Sequence, residues 1–355
     1  MTLVAERDAR ALFDSVGIVR SLGAHVVAVT FLGETQVAAG LGDGHVAFAP
    51  ILSDDVPRRV AAHDGMCLAM RPDFEPDHVL SGGDDGRLAS VGADGSVRVL
   101  AAAPGSWVDP IAVAPAARLR AAATGRLVVI LGADGSRLAS LEHDHTVSGL
   151  AFDPKGRRLA ASSYGGVSLW WASAEQQQPK KLRWPGSHLS VVWSPDGRFI
   201  VSALQEKALH GWRLADGADM RMAGYAVKVR SMAWLPEGRY LATGGAESVV
   251  CWPFRGKDGP MGKEPLDLGW GLDQCVTVVA PHPHHGVVAA GYEDGTAILA
   301  FLDRSIPVLL HRGGDGAVSA LAWSDDGHML AVGTEGGLLA VARLKDWRAP
   351  KRRPD

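Results

Sequence analysis

Short apolar runs separated by tight turns recur along the whole chain in one order. An apolar strand leads into a turn such as Ser194-Pro195-Asp196-Gly197, a second strand follows of the kind seen at Leu241-Ala242-Thr243-Gly244-Gly245, then an acidic Gly turn and a third strand. The second strand reads alike each time: Val37-Ala38-Ala39-Gly40, Val79-Leu80-Ser81-Gly82, Leu159-Ala160-Ala161-Ser162, Leu241-Ala242-Thr243-Gly244, Val288-Ala289-Ala290-Gly291 and Leu330-Ala331-Val332-Gly333. Small residues there let sheets pack closely. The turns that follow, such as Asp43-Gly44, Asp85-Gly86 and Asp294-Gly295, supply a Gly for the positive φ of a short hairpin.

The residue that ends the first strand counts the repeat. Taken as Phe31, Met70, Ala114, Phe152, Trp193, Trp234, Pro281 and Trp323, it returns at intervals of 38 to 47 residues. The mean of about 42 matches one four-stranded propeller blade of the roughly 40–45-residue class. The expectation is an all-β chain of eight four-stranded antiparallel blades, with seven as the alternative should the weak third repeat near Ala114 pair irregularly. The last repeat supplies three strands, near Ala317 to Trp323, His328 to Gly333 and Leu338 to Leu344. Gly17 to Leu22 has strand composition and is expected to pair with 338–344, closing the ring and removing two free edges.

Over about residues 16–344 the chain resembles the WD40 repeat family, with degenerate motifs. Trp171, Trp212 and Trp252 hold the place of the family's third-strand Trp without the following Asp, and His63, His145 and His188 fit its His without the preceding Gly. The resemblance implies a propeller and, within a blade, a buried set of Trp, Ser or Thr, His and Asp. The second blade offers His63, Ser81 and Asp84 or Asp85; the fifth offers His188, Ser202 and Trp212. High Ala, Gly and Arg usage resembles bacterial-type members.

Composition places limits on function. With 355 residues, 47% apolar and 21% charged, the chain is an ordinary globular one, read as a lead-in (1–15), one propeller (16–344) and a basic tail (345–355). A net charge of −3 lacks the basic excess of a general nucleic-acid binder. Neither a signal peptide nor a membrane-spanning apolar run is visible, so the expected compartment is the cytoplasm, with no membrane contact. Cys67, Cys251 and Cys275 have no Cys-x-x-Cys spacing and read as buried free thiols. Of 23 aromatic residues 11 are Trp, several of them at strand ends where a flat ring can fill the wedge between blades.

No nucleophile elbow, phosphate-cradling Gly loop or His-Glu-x-x-His motif is present, so the chain is read as non-enzymatic and without a cofactor. Pro281-His282-Pro283-His284-His285-Gly286 replaces the usual first turn of its repeat; His282, His284 and His285 make a zinc-binding or metal-handling role the first alternative. His143-Asp144-His145 is a second such cluster, on the other face of the ring. A channel-site enzyme or small-molecule binder, by fold analogy, is the second alternative.

The favoured reading is a protein-interaction scaffold. Turns between second and third strands contribute Asp43, Asp84, Asp85, Glu206, Glu247, Glu293, Asp294 and Glu335 to one face against Lys207 alone. Asp before Gly is a natural turn former, so the four Glu carry the argument. Blade-joining loops add Trp107 with Asp109, and Trp270 with Asp273. Such a face suits a basic segment of a protein partner, with Trp107, Trp270, Glu206, Glu247, Glu293 and Glu335 as contacts. The tail, with Trp347 among Lys345, Arg348, Lys351, Arg352 and Arg353, reads as solubilising charge.

Overall fold

All strand pairs are antiparallel in the computed structural model, which describes residues 12–13, 17–173, 178–269, 272–304 and 306–344. Among these residues they form seven sheets, six of four strands and one of six. First strands of successive repeats pack side by side around the axis, and Val26–Leu32 meets Val318–Trp323 where the ring closes. The architecture is a β-propeller.

Seven sheets is the alternative number, and the reason lies away from the third repeat. Ile111–Ala114, Leu119–Thr124, Leu127–Leu131 and Arg137–Glu142 form a regular four-stranded sheet. The fourth and fifth repeats instead share the six-stranded one. Strand Arg158–Trp171 bends at Tyr164-Gly165-Gly166, whose glycines have φ of 86° and 138°, and Ala172 N then donates to Arg157 O at 2.9 Å. Residues 159–162 therefore pair with Gly149–Phe152, while 166–169 pair with 180–183. Strand Lys180–Trp193 continues without a break, and its residues 188–193 pair with Phe199–Leu204. Each long strand does the work of two, so all eight repeats of the sequence occur within seven sheets.

Second strands are the most deeply buried; Val37, Ala38, Ala39, Leu241, Ala242, Val288, Ala289 and Ala290 have no exposed surface. The Gly after them sets the spacing between blades. A Cβ on Gly82 would stand 2.3 Å from Val108 O, and one on Gly291 within 2.4 Å of Val318 Cβ, so each Gly lets the next repeat's first strand approach. In five repeats the first strand carries a bulge, at Val27, Leu68, Leu189, Thr277 and Ser319. Two of these bulged residues tie neighbouring blades: Thr277 Oγ1 donates to Val318 O and Ser319 Oγ to Val26 O, both at 2.6 Å.

Ring closure follows the expected pairing. Gly17–Ser21 lies antiparallel to Leu338–Arg343, with Gly17 opposite Ala342 and Ser21 opposite Leu338. Arg59 Nη1 donates to Leu22 O at 2.6 Å, and Arg20 Nη2 to Pro50 O at 2.9 Å, fixing the closing strand to the first repeat. The Ser319 bond closes the ring a second time, at its inner radius.

Several motif positions move once side chains are placed. In the second repeat Pro72, two residues after Met70, pairs with Val79 and ends the first strand, because its turn runs on through Asp73 to Asp77. Trp170, not Trp171, takes the buried Trp place: its Nε1 donates to His143 Nε2 at 3.0 Å, whereas Trp171 is 55% exposed. His143 thus fills the role assigned to His145, which is exposed. In the second repeat Cys67 Sγ, Ser81 Oγ, His63 and Asp85 form a buried chain with links of 3.3, 2.8 and 3.1 Å, while Asp84 accepts from Met66 N. Burial pushes the Asp85 carboxyl up, but the N–H groups of Arg87 and Asp64 and the His63 ring outweigh it and hold it below the carboxylate range. In the fifth repeat His188 Nδ1 lies 2.7 Å from Ser202 Oγ, and Trp212 packs with its ring centre 5.7 Å away. The sixth repeat has a set that motif reading missed, with Tyr in place of His. Trp252 Nε1 lies 2.7 Å from Tyr225 OH, which lies 2.8 Å from Thr243 Oγ1.

The cysteines behave largely as expected. Cys67 and Cys251 are buried, and burial pushes their thiols up to about 11 and about 12; Cys275 is half-buried.

Candidate functional site

Antiparallel order puts the turns after first and third strands at one end of every sheet, and the second-to-third turns with the blade-joining loops at the other. That second end carries the candidate contacts. Glu206, Glu247, Glu293 and Glu335 are all exposed, and among the described residues their carboxylates make no hydrogen bond or ion pair. The aspartates of the same turns serve the fold instead. Asp43 pairs with Arg59 and His45, Asp84 and Asp85 hold the second repeat, and Asp294 accepts from Thr296 N at 2.8 Å.

The charge is not spread evenly round the face. Glu206 stands beside Lys207, and the blade-joining loop of that sector adds Lys228 and Arg230. Lys207 Nζ is tied to Ala226 O at 2.9 Å. From the sixth to the eighth repeat, by contrast, Glu247, Asp273, Glu293, Asp315 and Glu335 follow one another, all exposed. Cys275 reports how near two of them lie: burial raises its thiol, and Glu293 and Glu247 raise it further. Asp315 was missed because it belongs to a blade-joining loop, and the sequence count took those loops only where they held Trp. His311 Nε2 lies 3.6 Å from its carboxylate.

Trp107 is 68% exposed on the loop joining the second and third repeats, anchored by the Val108 N bond to Gly83 O. Trp270 lies outside the described residues, as do 345–355 of the tail.

The histidine turn has a structural job. His282 is buried, its Nε2 donates to Gly327 O at 3.1 Å, and its Nδ1 accepts from His284 N at 3.0 Å; His284 Nε2 donates to Asp325 O at 2.8 Å. These nitrogens fasten the seventh repeat to the first turn of the eighth. Burial, with His285 beside it, pushes the His282 ring down to about 4. Among the described residues no group of three or more His, Cys, Asp or Glu is arranged to hold a metal ion. No helix among them is long and apolar enough to cross a membrane.

Comparison with known proteins agrees with this geometry. The family described as WD domain, G-beta repeat matches residues 135–170, 221–252 and 306–341. The chain is similar to the rice Chromatin assembly factor 1 subunit FAS2 homolog, 28% identical over 54% of this chain and 36% of that protein. It is also similar to the mouse Serine-threonine kinase receptor-associated protein, 22% identical over 58% of this chain and 57% of that one. Protein HIR1 of Mycosarcoma maydis is 25% identical over 74% of this chain and 32% of its own length. The chain thus spans between about a third and a little over half of these relatives. The crystal structure of the computationally designed Ika8 protein superposes with a TM-score of 0.73 at 19% identity, over 91% of this chain and 98% of that one. With repeated four-stranded units, buried His or Tyr, Ser or Thr and Trp sets, and matches of the family's repeat at three places along the ring, the chain is similar to the WD40 repeat family.

Proposed function

We propose that the protein is a non-enzymatic interaction platform whose carboxylate arc, from Glu247 to Glu335, receives a basic segment of a protein partner. The observation that carries this is the set of unpaired, exposed glutamates in hairpin turns, two of them close enough to raise the same Cys275 thiol. Carboxylates without an internal partner contribute nothing to holding the ring, and like charges gathered on one rim repel each other until a cation arrives. The relatives' printed names, a chromatin assembly factor subunit and a receptor-associated protein, describe proteins that associate with others. A rigid ring suits that work, since its loops are ordered before binding and little entropy is lost when a partner docks. Trp107 offers an aromatic anchor on the same face, and Trp270 is proposed as a second.

Affinity purification of the tagged chain from its own cells tests this. The comparison is between wild type and a variant with Glu206, Glu247, Glu293 and Glu335 changed to Lys, checked for folding by thermal melting. A protein recovered with wild type and absent with the folded variant is the expected result. Equal recovery with both removes the acidic face from the reading.

A further inference from the structure

A cleft of about 570 Å³ opens between the third and fourth repeats. One wall is the outer edge of Arg137–Glu142, which pairs inward with Leu127–Leu131 and has no strand on its other side among the described residues. The chain lines the cleft continuously from residue 140 to 145. Gly166–Ser168 and residues 181–183 form the opposite wall, and the buried Trp170–His143 pair lies beneath. Its lining combines small residues, Ser140, Ser163, Ser168, Gly165 and Gly166, with the larger His145, Tyr164 and Arg183.

Its charges are distributed in a particular way. Lys181 is neutralised by Asp144, which leaves Arg183 on one wall and Glu142 on the other, both exposed and neither paired among the described residues. Tyr164, 58% exposed, stands at the mouth with its ring 5.3 Å from that of His145. A free strand edge offers a row of N–H and C=O groups that another extended chain can satisfy. Two unpaired charges of opposite sign on facing walls call for an occupant carrying both signs, which a peptide does through side chains that alternate in direction.

We propose that this cleft binds an extended peptide as an added strand along Ser140–Glu142, with an acidic side chain at Arg183 and a basic one at Glu142. The inference rests on the interaction-platform reading but uses a different surface, at the side of the ring.

The probe is a fluorescein-labelled, terminally blocked peptide, Thr-Val-Glu-Lys-Val-Val-Thr, whose adjacent Glu and Lys point to opposite sides of a strand, with a second version in which its Glu and Lys exchange places and a third with Lys at both. Anisotropy titrations use the full chain as wild type, as Arg183→Glu and as the four-glutamate rim variant. Wild type is expected to bind the first peptide. Arg183→Glu is expected to bind it at least tenfold more weakly, and to bind the all-Lys peptide more tightly than wild type does. The rim variant should match wild type, which separates this site from the acidic face: loss of partner capture by the rim variant concerns that face alone. Absence of binding to wild type, equal affinity for wild type and Arg183→Glu, or loss of binding in the rim variant overturns the proposal. Arg183 is exposed, and an unchanged melting temperature shows that its replacement leaves the fold intact.

Discussion

Replacing Arg120 with Met should be among the most damaging single changes in the ring. Arg120 belongs to Leu119–Thr124 of the third repeat, and its side chain has no exposed surface. It reaches into the first turn of the second repeat, where Nε and Nη2 approach the equally buried Asp73 at 2.9 to 3.1 Å and Nη2 meets Glu75 at 2.8 Å. Nη1 donates to Ala133 O at 3.3 Å, and the guanidinium lies 4.0 Å above the Phe74 ring. Met fills similar volume but leaves the Asp73 carboxylate with only the Ser90 hydroxyl and the Phe74 N–H. Breaking a buried pair from one side costs about 3–5 kcal/mol. With an unfolding entropy of about 2.1 cal/mol/K per residue, that corresponds to a fall of about 4–7 °C in melting temperature for a chain of this length. Circular dichroism melts of wild type, Arg120→Met, Asp73→Leu and the double variant provide the assay. The double variant should recover most of the loss, because it leaves no uncompensated charge. A loss below about 1 kcal/mol for Arg120→Met, or losses that simply add in the double variant, would refute the reasoning.

Three further outcomes are expected. Tyr225→Phe removes the hydroxyl between Trp252 Nε1 and Thr243 Oγ1 and should cost about 1–3 kcal/mol in urea unfolding with an unchanged m-value, whereas a cost near zero would mean that water replaces it. His210 and His282 are held neutral in the folded state, down to about 4, chiefly by burial, while an unfolded His takes its proton near 6.5. The unfolded chain then binds more protons, so stability should fall as pH drops from about 6.5 toward 4, by up to about 1.4 kcal/mol per pH unit for each ring. Neither ring nitrogen of His210 has a hydrogen-bond partner, so His210→Phe should flatten that slope at little cost near neutral pH; a slope unchanged in the variant contradicts the assignment. Deleting residues 1–22 strips the outer strand from Leu338–Arg343 and should yield aggregated protein by size-exclusion chromatography, an idea that a monodisperse, cooperatively melting product would end.

The repeat, the four-strand unit and the closing strand were legible because each is written in local chemistry: alternation, small second strands, Gly turns. The number of separate sheets was not. Whether pairing runs on through Tyr164-Gly165-Gly166 and through Pro185-Gly186 depends on how far two hairpins twist, which composition does not encode. Choosing between Trp170 and Trp171 required knowing which side of the strand faces the third repeat, since adjacent residues point to opposite faces. Tyr225 escaped notice because a family motif names His, although any donor-acceptor side chain of suitable reach completes the same bond chain. For the site, the unpaired glutamates were visible as residues that turns do not favour. The concentration of charge over three repeats needed the loops to be placed beside one another, and the side cleft needed two separate strands to be set facing each other.

The closing strand also sets a schedule for synthesis. Gly17–Ser21 leaves the ribosome early, yet its partner Leu338–Arg343 is made about 320 residues later. At roughly 5–20 residues per second the first strand waits on the order of 15 to 60 seconds with its edge open. The sheets between them have their own hairpins and can form as they emerge. Only the last one must borrow from the beginning, so in a nascent chain that strand is the one most in need of protection, and the final fold is reached by capturing it.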